Sequence, residues 1–139
     1  KMEYGGPDGE LGASLRYLSQ RYSMPYPELK GLLTDIGTEE LGHLEMVGTI
    51  VHQLTRTLSE EQAREAGFDA YFVDHTAGIY PQAASGTPWS AASMAVKGDP
   101  MADLVEDLAA DGTTIQGRLC LETVENTSFF AIARFLLLR

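Results

Sequence analysis

The sequence predicts an all-α protein built as a four-helix bundle. Three stretches place apolar residues three and four positions apart, which is the spacing of one helix face. Carboxylate and imidazole side chains interrupt two of these faces, where solvated charges do not normally lie. A long segment rich in turn residues separates the second stretch from the third. In a bundle, such a segment can carry the chain from one end to the other.

Composition limits the functions that the chain can have. Its 139 residues, 44% of them hydrophobic, suffice for one domain, which we expect to span residues 1–139. The formal charge of -10 argues against nucleic acid or an anionic membrane surface as a partner, because both require a basic patch. One cysteine, Cys120, cannot form an internal disulfide. No apolar run reaches the roughly 18 residues of a membrane span.

The first helix is predicted from about Glu10 to Tyr22. Its apolar face is formed at spacings of four, three and four by Leu11, Leu15, Leu18 and Tyr22. The glycine-rich segment 5–9 before it is compatible with either an N-terminal boundary or a break in a longer helix. Two prolines in segment 23–27 predict the turn that follows.

The second helix, from Glu28 to about Leu58, has the strongest pattern. Its inward face alternates spacings of four and three through Leu29, Leu33, Ile36, Glu40, His43, Val47, Ile50 and Leu54. A glutamate and a histidine therefore take two successive positions of an otherwise apolar face.

Residues 59–100 form the predicted crossover between the second and third helices. A short acidic helix, Ser59–Ala66, opens it, and irregular sequence follows. Ferritin-like bundles contain one long connection of this kind. The fold class predicted here is therefore a ferritin-like four-helix bundle.

The third helix begins near Asp99-Pro100, with proline at a tolerated early position. Its predicted face consists of Met101, Leu104, Leu108, Asp111 and Ile115. After a turn at 125–128, Phe129 starts a fourth helix. The chain stops at Arg139 within this apolar run and without a helix-ending signal. We therefore expect a fragment of a longer protein, with its fourth helix truncated.

Counting along the first hairpin places Glu10 and Glu40 at one level. Glu10 lies 15 residues before Pro25 and Glu40 lies 15 residues after it, so at about 1.5 Å per residue the two carboxylates face each other. His43, three residues after Glu40, shares its helix face. Asp111 lies 15 residues before the predicted turn at residue 126, which makes the second hairpin equivalent to the first.

Three carboxylates and an imidazole at one level predict a metal site. Buried carboxylates are costly without a partner, and a divalent cation removes that cost. Carboxylate and imidazole donors suit manganese, iron or zinc. Dinuclear bundles use one Glu from each of two helices and one Glu-x-x-His from each of the others. The predicted ligands are Glu10, Glu40, His43 and Asp111; the alternative is a buried, hydrogen-bonded polar cluster without metal.

Other polar residues are expected to play no part in this site. His52 is half a turn out of phase with His43 and should face solvent. Glu39 and Glu45 lie on other faces of the second helix. We expect His75 on the surface of the crossover, and neither Cys120 nor Trp89 has partners that would indicate catalysis.

Four segments resemble the manganese catalases, in particular their spore-coat branch. They are GGPDGEL at 5–11, LTDIGTEELGHLEM at 33–46, PWSA at 88–91 and GDPMADL at 98–104. The resemblance covers about residues 3–110. It implies a centre with two manganese ions that disproportionates hydrogen peroxide to water and dioxygen, in a homo-oligomer that is often a hexamer.

The resemblance also implies a role for each predicted ligand. Glu10 and His43 would bind one manganese ion, and Glu40 would bridge both ions and be required for catalysis. Asp111 stands where the family has a glutamate ligand to the second ion. The family's last Glu-x-x-His element would follow Arg139, so the chain as written completes only one metal position.

Three functional hypotheses follow. The first is a manganese catalase, in the cytoplasm or the spore coat of a bacterium. The second is a structural coat component that keeps the bundle and has lost the second metal position. The third is a mononuclear metal-binding module that uses Glu10, Glu40 and His43.

Overall fold

Local sequence signals set the ends of the helices. The computed structural model describes residues 4–7, 9–72, 78–83, 85, 86 and 90–117, with 110–117 described by backbone alone. Its helices are α1 (Glu10–Gln20), α2 (Pro27–Thr55), α3 (Glu60–Glu65) and α4 (Pro100–Gly117), with 3-10 turns at Asp69–Phe72 and Ala91–Ser93. No β-strand occurs in these residues, which confirms the all-α prediction. The predicted fourth bundle helix lies outside them.

Side chains cap two of these helices close to the starts that the sequence predicts. At α3, the Ser59 hydroxyl accepts from the backbone N–H of Gln62, and the Gln62 side chain accepts from that of Ser59. At α4, Asp99 accepts from the N–H groups of Met101 and Ala102, at 3.0 and 2.9 Å. Pro100 takes the first helical position, where its missing N–H removes no helical bond. Both predicted starts are therefore confirmed.

One unit of the structure combines Lys1–Leu15 with Gly37–Met94. Here α1 and α2 run antiparallel, since Glu10 lies near His43 whereas the later Ser14 bonds to the earlier Gly37. Tyr4, Val51 and Tyr71 form a buried hydrophobic core. The partly buried side chains that pack against it are those of Leu44, Val47, Phe68, Phe72 and Ile79. The centroids of the Tyr4 and Tyr71 rings are 6.0 Å apart, and burial raises the pKa of both phenols.

The other unit combines Arg16–Ile36 with Ala95–Arg139. Its buried apolar side chains include those of Met24, Leu29, Leu33 and Leu104. Gln20 donates through Nε2 to the carbonyl oxygen of Ala95, at 2.8 Å. The Asp103 carboxylate accepts from the N–H groups of Lys97 and Gly98, at 2.7 and 3.1 Å. The segment before α4 is thus held by buried polar side chains.

On α1, the predicted apolar face is wrong. Its leucines are only partly buried and Tyr22 is 76% exposed. The buried side chains include those of Glu10, Ser14, Tyr17 and Gln20. Polar side chains can occupy this face because hydrogen-bond partners meet them there, and burial of a polar group is costly only without such partners.

On α2, the predicted face is buried at each of its positions from Leu29 to His43, but it is exposed near the end of the helix. Ile50 and Leu54 are 44% and 52% exposed, whereas Val51 is fully buried. A straight helix drifts by about 20° per heptad from a strict four-three spacing, so the buried face moves to other residues after several turns. On α4, Met101 is 61% exposed while Asp103 is fully buried. Apolar spacing therefore predicted the buried face over the first part of α2 and at Leu104 of α4, but not at Met101 or at the end of α2.

Candidate metal centre

Two helices bring Glu10, Glu40 and His43 together. Each residue offers one ligand atom, and these three atoms all lie within 4.8 Å of one another. Nδ1 of His43 lies 2.7 Å from Oε2 of Glu40 and 3.8 Å from Oε2 of Glu10. All three side chains are buried, with relative exposures of 4% for Glu10 and 8% for the other two.

Helix geometry explains this convergence. Glu40 and His43 are three residues apart in α2, so their side chains leave the same face and make contact. Glu10 is the first residue of α1, where the positive end of the helix dipole favours a carboxylate. Because α1 and α2 are antiparallel in this unit, the first residue of α1 lies opposite the middle of α2, as the count from Pro25 predicts.

Close backbone packing fixes the segment that precedes Glu10. A Cβ atom on Gly12 would lie 2.5 Å from the carbonyl oxygens of Gly6 and Pro7. A Cβ atom on Gly5 would collide with the backbone where Pro81 joins Gln82. The glycines thus let the loop lie directly between α1 and the crossover segment. α1 begins at Glu10 and residues 4–7 are not helical, which agrees with either interpretation of segment 5–9.

The donor set fits a divalent cation. Two carboxylates and one imidazole lie close together in a site shielded from water, where a divalent cation would stabilise the ionised carboxylates. Oxygen and imidazole nitrogen without thiolate suit manganese, iron or zinc more than a soft metal. Nδ1 of His43 faces both carboxylates, so it is the nitrogen available to such an ion.

The remaining predicted ligand, Asp111, lies in α4, and its side chain is outside the described part. His75, Trp89 and Cys120 are also outside the described residues. His52, Glu39 and Glu45 are exposed, which confirms the expectation that they face solvent.

Sequence patterns missed a second set of buried polar residues. Asp103 and Asp107 are fully buried on α4, and Arg16 and Gln20 are buried on α1. Asp103 and Asp107 are four residues apart, and this spacing could have indicated a shared buried face. The apolar spacing of Leu104 and Leu108 concealed that signal, because only apolar residues were used to choose the face.

Residues 2–128 match the family described as manganese containing catalase. The chain belongs to this family. The match covers most of the sequence and includes both helices that hold the three donors. It confirms the family that the motifs around Glu10 and Glu40 resemble.

Relatives of known sequence agree with the family assignment. The chain is 52% identical to Protein CotJC of Bacillus subtilis over 109 residues, which is 78% of this chain and 57% of that protein. It is 35% identical to a probable manganese catalase of Clostridium acetobutylicum over 112 residues, which is 78% of this chain and 48% of that protein. The chain thus spans about half the length of these curated relatives.

A solved structure supports the fold. KatB, a manganese catalase from Anabaena PCC7120, matches 97% of this chain with a TM-score of 0.71 and 27% sequence identity, over 63% of the KatB chain. This likeness confirms the ferritin-like class. Among the described residues, no helix is long and apolar enough to cross a membrane.

Proposed function

We propose that Glu10, Glu40 and His43 bind manganese and that the protein disproportionates hydrogen peroxide to water and dioxygen. The observation that carries this proposal is the convergence of three buried donors in a chain of this family. Asp111 is proposed as a further ligand from its position in the sequence. As an aspartate it is one methylene shorter than the family's glutamate and reaches less far.

The chain's own contribution is to hold donor atoms and exclude water. Manganese bound there would supply redox chemistry by alternating between reduced and oxidised states. The 2.7 Å contact between Glu40 and His43 holds two donors in one orientation, and Glu10 faces them from α1. Burial makes electrostatic interactions at the site stronger than they would be in water. By resemblance to the family, Glu40 is our candidate for the residue that would bridge two ions and be required for catalysis.

The number of ions is a separate proposal. Three described donors suffice for one manganese ion, whereas the resemblance implies two ions per site. A second ion would need donors beyond these three, of which Asp111 is one candidate. Elemental analysis of the loaded chain would give the number directly.

A matched pair of variants tests the site. Glu39 and Glu40 are neighbours in α2, but Glu39 is exposed and Glu40 is buried beside His43. After loading with Mn²⁺ and removal of excess metal, the wild type and Glu39→Ala should retain manganese and release dioxygen from peroxide. Glu40→Ala should lose both. Full activity in Glu40→Ala would show that the proposed site is wrong.

A structural role is the second candidate. The observation that favours it is Asp111, an aspartate where the resemblance implies a glutamate ligand to a second ion. Under this hypothesis the protein assembles, for example in a spore coat, without consuming peroxide. A hexamer that releases dioxygen would support the enzyme, either in the cytoplasm or in the coat. A catalytically silent assembly would support the structural role, and a silent monomer that binds one ion would support a mononuclear module.

A further inference from the structure

Ser14 forms a hydrogen bond between the two helices of the proposed metal site. Its hydroxyl donates to the carbonyl oxygen of Gly37, at 2.7 Å, and Ser14 is fully buried. Ser14 belongs to α1 and Gly37 to α2, so this bond joins the helix that carries Glu10 to the helix that carries Glu40 and His43.

The buried hydroxyl of Thr55 behaves differently. It donates to the carbonyl oxygen of Val51, four residues earlier in the same helix. Bonds of this kind are the usual outcome for Ser and Thr within a helix. They leave the position of one helix relative to another unaffected, whereas the Ser14 bond constrains it.

The bond lies one turn from the donors on both helices. Ser14 follows Glu10 by four residues and therefore shares its helix face. Gly37 precedes Glu40 by three residues and shares the face of α2 that Glu40 occupies. A shift of one helix along the other at this level would move Oε2 of Glu10 relative to Nδ1 of His43, from which it is 3.8 Å away.

We propose that Ser14 is a positioning residue that holds Glu10 in register with the Glu40–His43 pair and thereby sets the affinity for the metal. This inference rests on the proposed function and adds a residue that binds no metal itself. Groups that orient metal ligands typically change metal affinity by 10- to 100-fold when they are removed. Ser14 acts on a whole helix, so we expect an effect near the lower end of that range.

Ser14→Ala and Thr55→Val form a matched test in the 139-residue chain. Each removes a buried hydroxyl that donates at 2.7 Å to a backbone carbonyl, but only the Ser14 bond links α1 to α2. Both variants should lower the thermal midpoint of the metal-free protein. Ser14→Ala should weaken Mn²⁺ binding, measured by calorimetry, by about tenfold. Thr55→Val should leave the affinity within about twofold of wild type.

A double-mutant cycle identifies the residue through which Ser14 acts. If Ser14 positions Glu10, then Ser14→Ala should have almost no further effect on metal affinity in a Glu10→Ala background. The visible spectrum of bound Co²⁺ should also change in Ser14→Ala and remain unchanged in Thr55→Val. Should Ser14→Ala fail to fold, Ser14→Cys keeps a similar volume with a weak donor and should give a smaller loss of affinity.

The outcomes separate this inference from the proposed function. A wild-type chain that binds no Mn²⁺ would overturn both. Wild-type affinity in a folded Ser14→Ala variant, or an undiminished effect of that variant in the Glu10→Ala background, would overturn the inference alone.

Discussion

Two buried polar clusters in this protein use carboxylates in opposite ways. In the carboxylate–imidazole cluster, Glu10, Glu40 and His43 direct ionisable groups at one another. In the loop-anchoring cluster, the Asp103 carboxylate accepts from two backbone N–H groups and Gln20 donates to a backbone carbonyl. Backbone N–H groups satisfy a carboxylate without metal, whereas two ionised carboxylates at close range repel each other, and a bound cation relieves this repulsion.

The comparison distinguishes a buried carboxylate that stabilises the fold from a buried carboxylate that is placed to bind a metal ion. A carboxylate bound to main-chain donors should stabilise the protein in the absence of metal. One that faces another carboxylate should stabilise it mainly when metal is bound, since a ligand that binds the folded state and not the unfolded state adds stability. Substitutions in the two clusters should therefore affect stability and metal affinity differently.

Gly12→Ala should have the largest effect on stability of the substitutions considered. It should also displace Glu10 of the carboxylate–imidazole cluster, which lies two residues earlier in α1. The alanine Cβ would meet the carbonyl oxygens of Gly6 and Pro7 at 2.5 Å, and backbone cannot move aside as a flexible side chain can. We expect a loss of about 3 kcal/mol in the free energy of unfolding, measured with urea on the metal-free chain. Mn²⁺ affinity should also fall, because α1 and Glu10 would move. Unchanged stability would contradict the close packing described here.

Asp103→Ala should lower stability without changing the metal site. It removes two charge-assisted hydrogen bonds from the segment before α4, for an expected loss of about 2 kcal/mol. Glu106→Ala, which removes an exposed carboxylate from the same helix, is the control and should be close to neutral. Reduced Mn²⁺ affinity in Asp103→Ala at a temperature where it is folded would show that the two clusters are not independent.

Glu10→Gln should lower Mn²⁺ affinity without lowering the stability of the metal-free protein. The amide keeps the shape and removes one of two carboxylates beside His43, so the metal-free protein should be no less stable than wild type. Mn²⁺ affinity should fall by about tenfold, which is about 1.4 kcal/mol. Glu39→Gln removes the same charge from an exposed position and should change neither quantity. A Glu10→Gln variant that loses stability but keeps its affinity would make this cluster structural.

Gly42→Ala should give the smallest effect, and in the stabilising direction. Gly42 lies between Glu40 and His43 in sequence, yet a Cβ there would meet nothing within 4 Å. Alanine in an exposed helical position is favoured over glycine by about 0.5–1 kcal/mol. The thermal midpoint should rise while Mn²⁺ affinity remains that of wild type. A loss of Mn²⁺ affinity would contradict the open space that the structure shows beside Gly42.

Much of the carboxylate–imidazole cluster could be predicted because its arrangement depends on local helix geometry. The spacing of Glu40 and His43 fixes their shared face, and the count from Pro25 fixes the level of Glu10. The loop-anchoring cluster could not be predicted in this way. Gln20 and Ala95 are separated by 75 residues, and no local pattern brings such residues together.

The starts of the helices and the shared level of the donors follow from the amino-acid sequence, because caps and helical periods act over a few residues. Ser59, Asp99 and the Glu40–His43 spacing are signals of this kind. By contrast, the buried face of α1 and the contact of Ser14 with Gly37 depend on how distant segments pack together. A helical period fixes the angle between side chains, but the neighbouring segments decide which angle points inward.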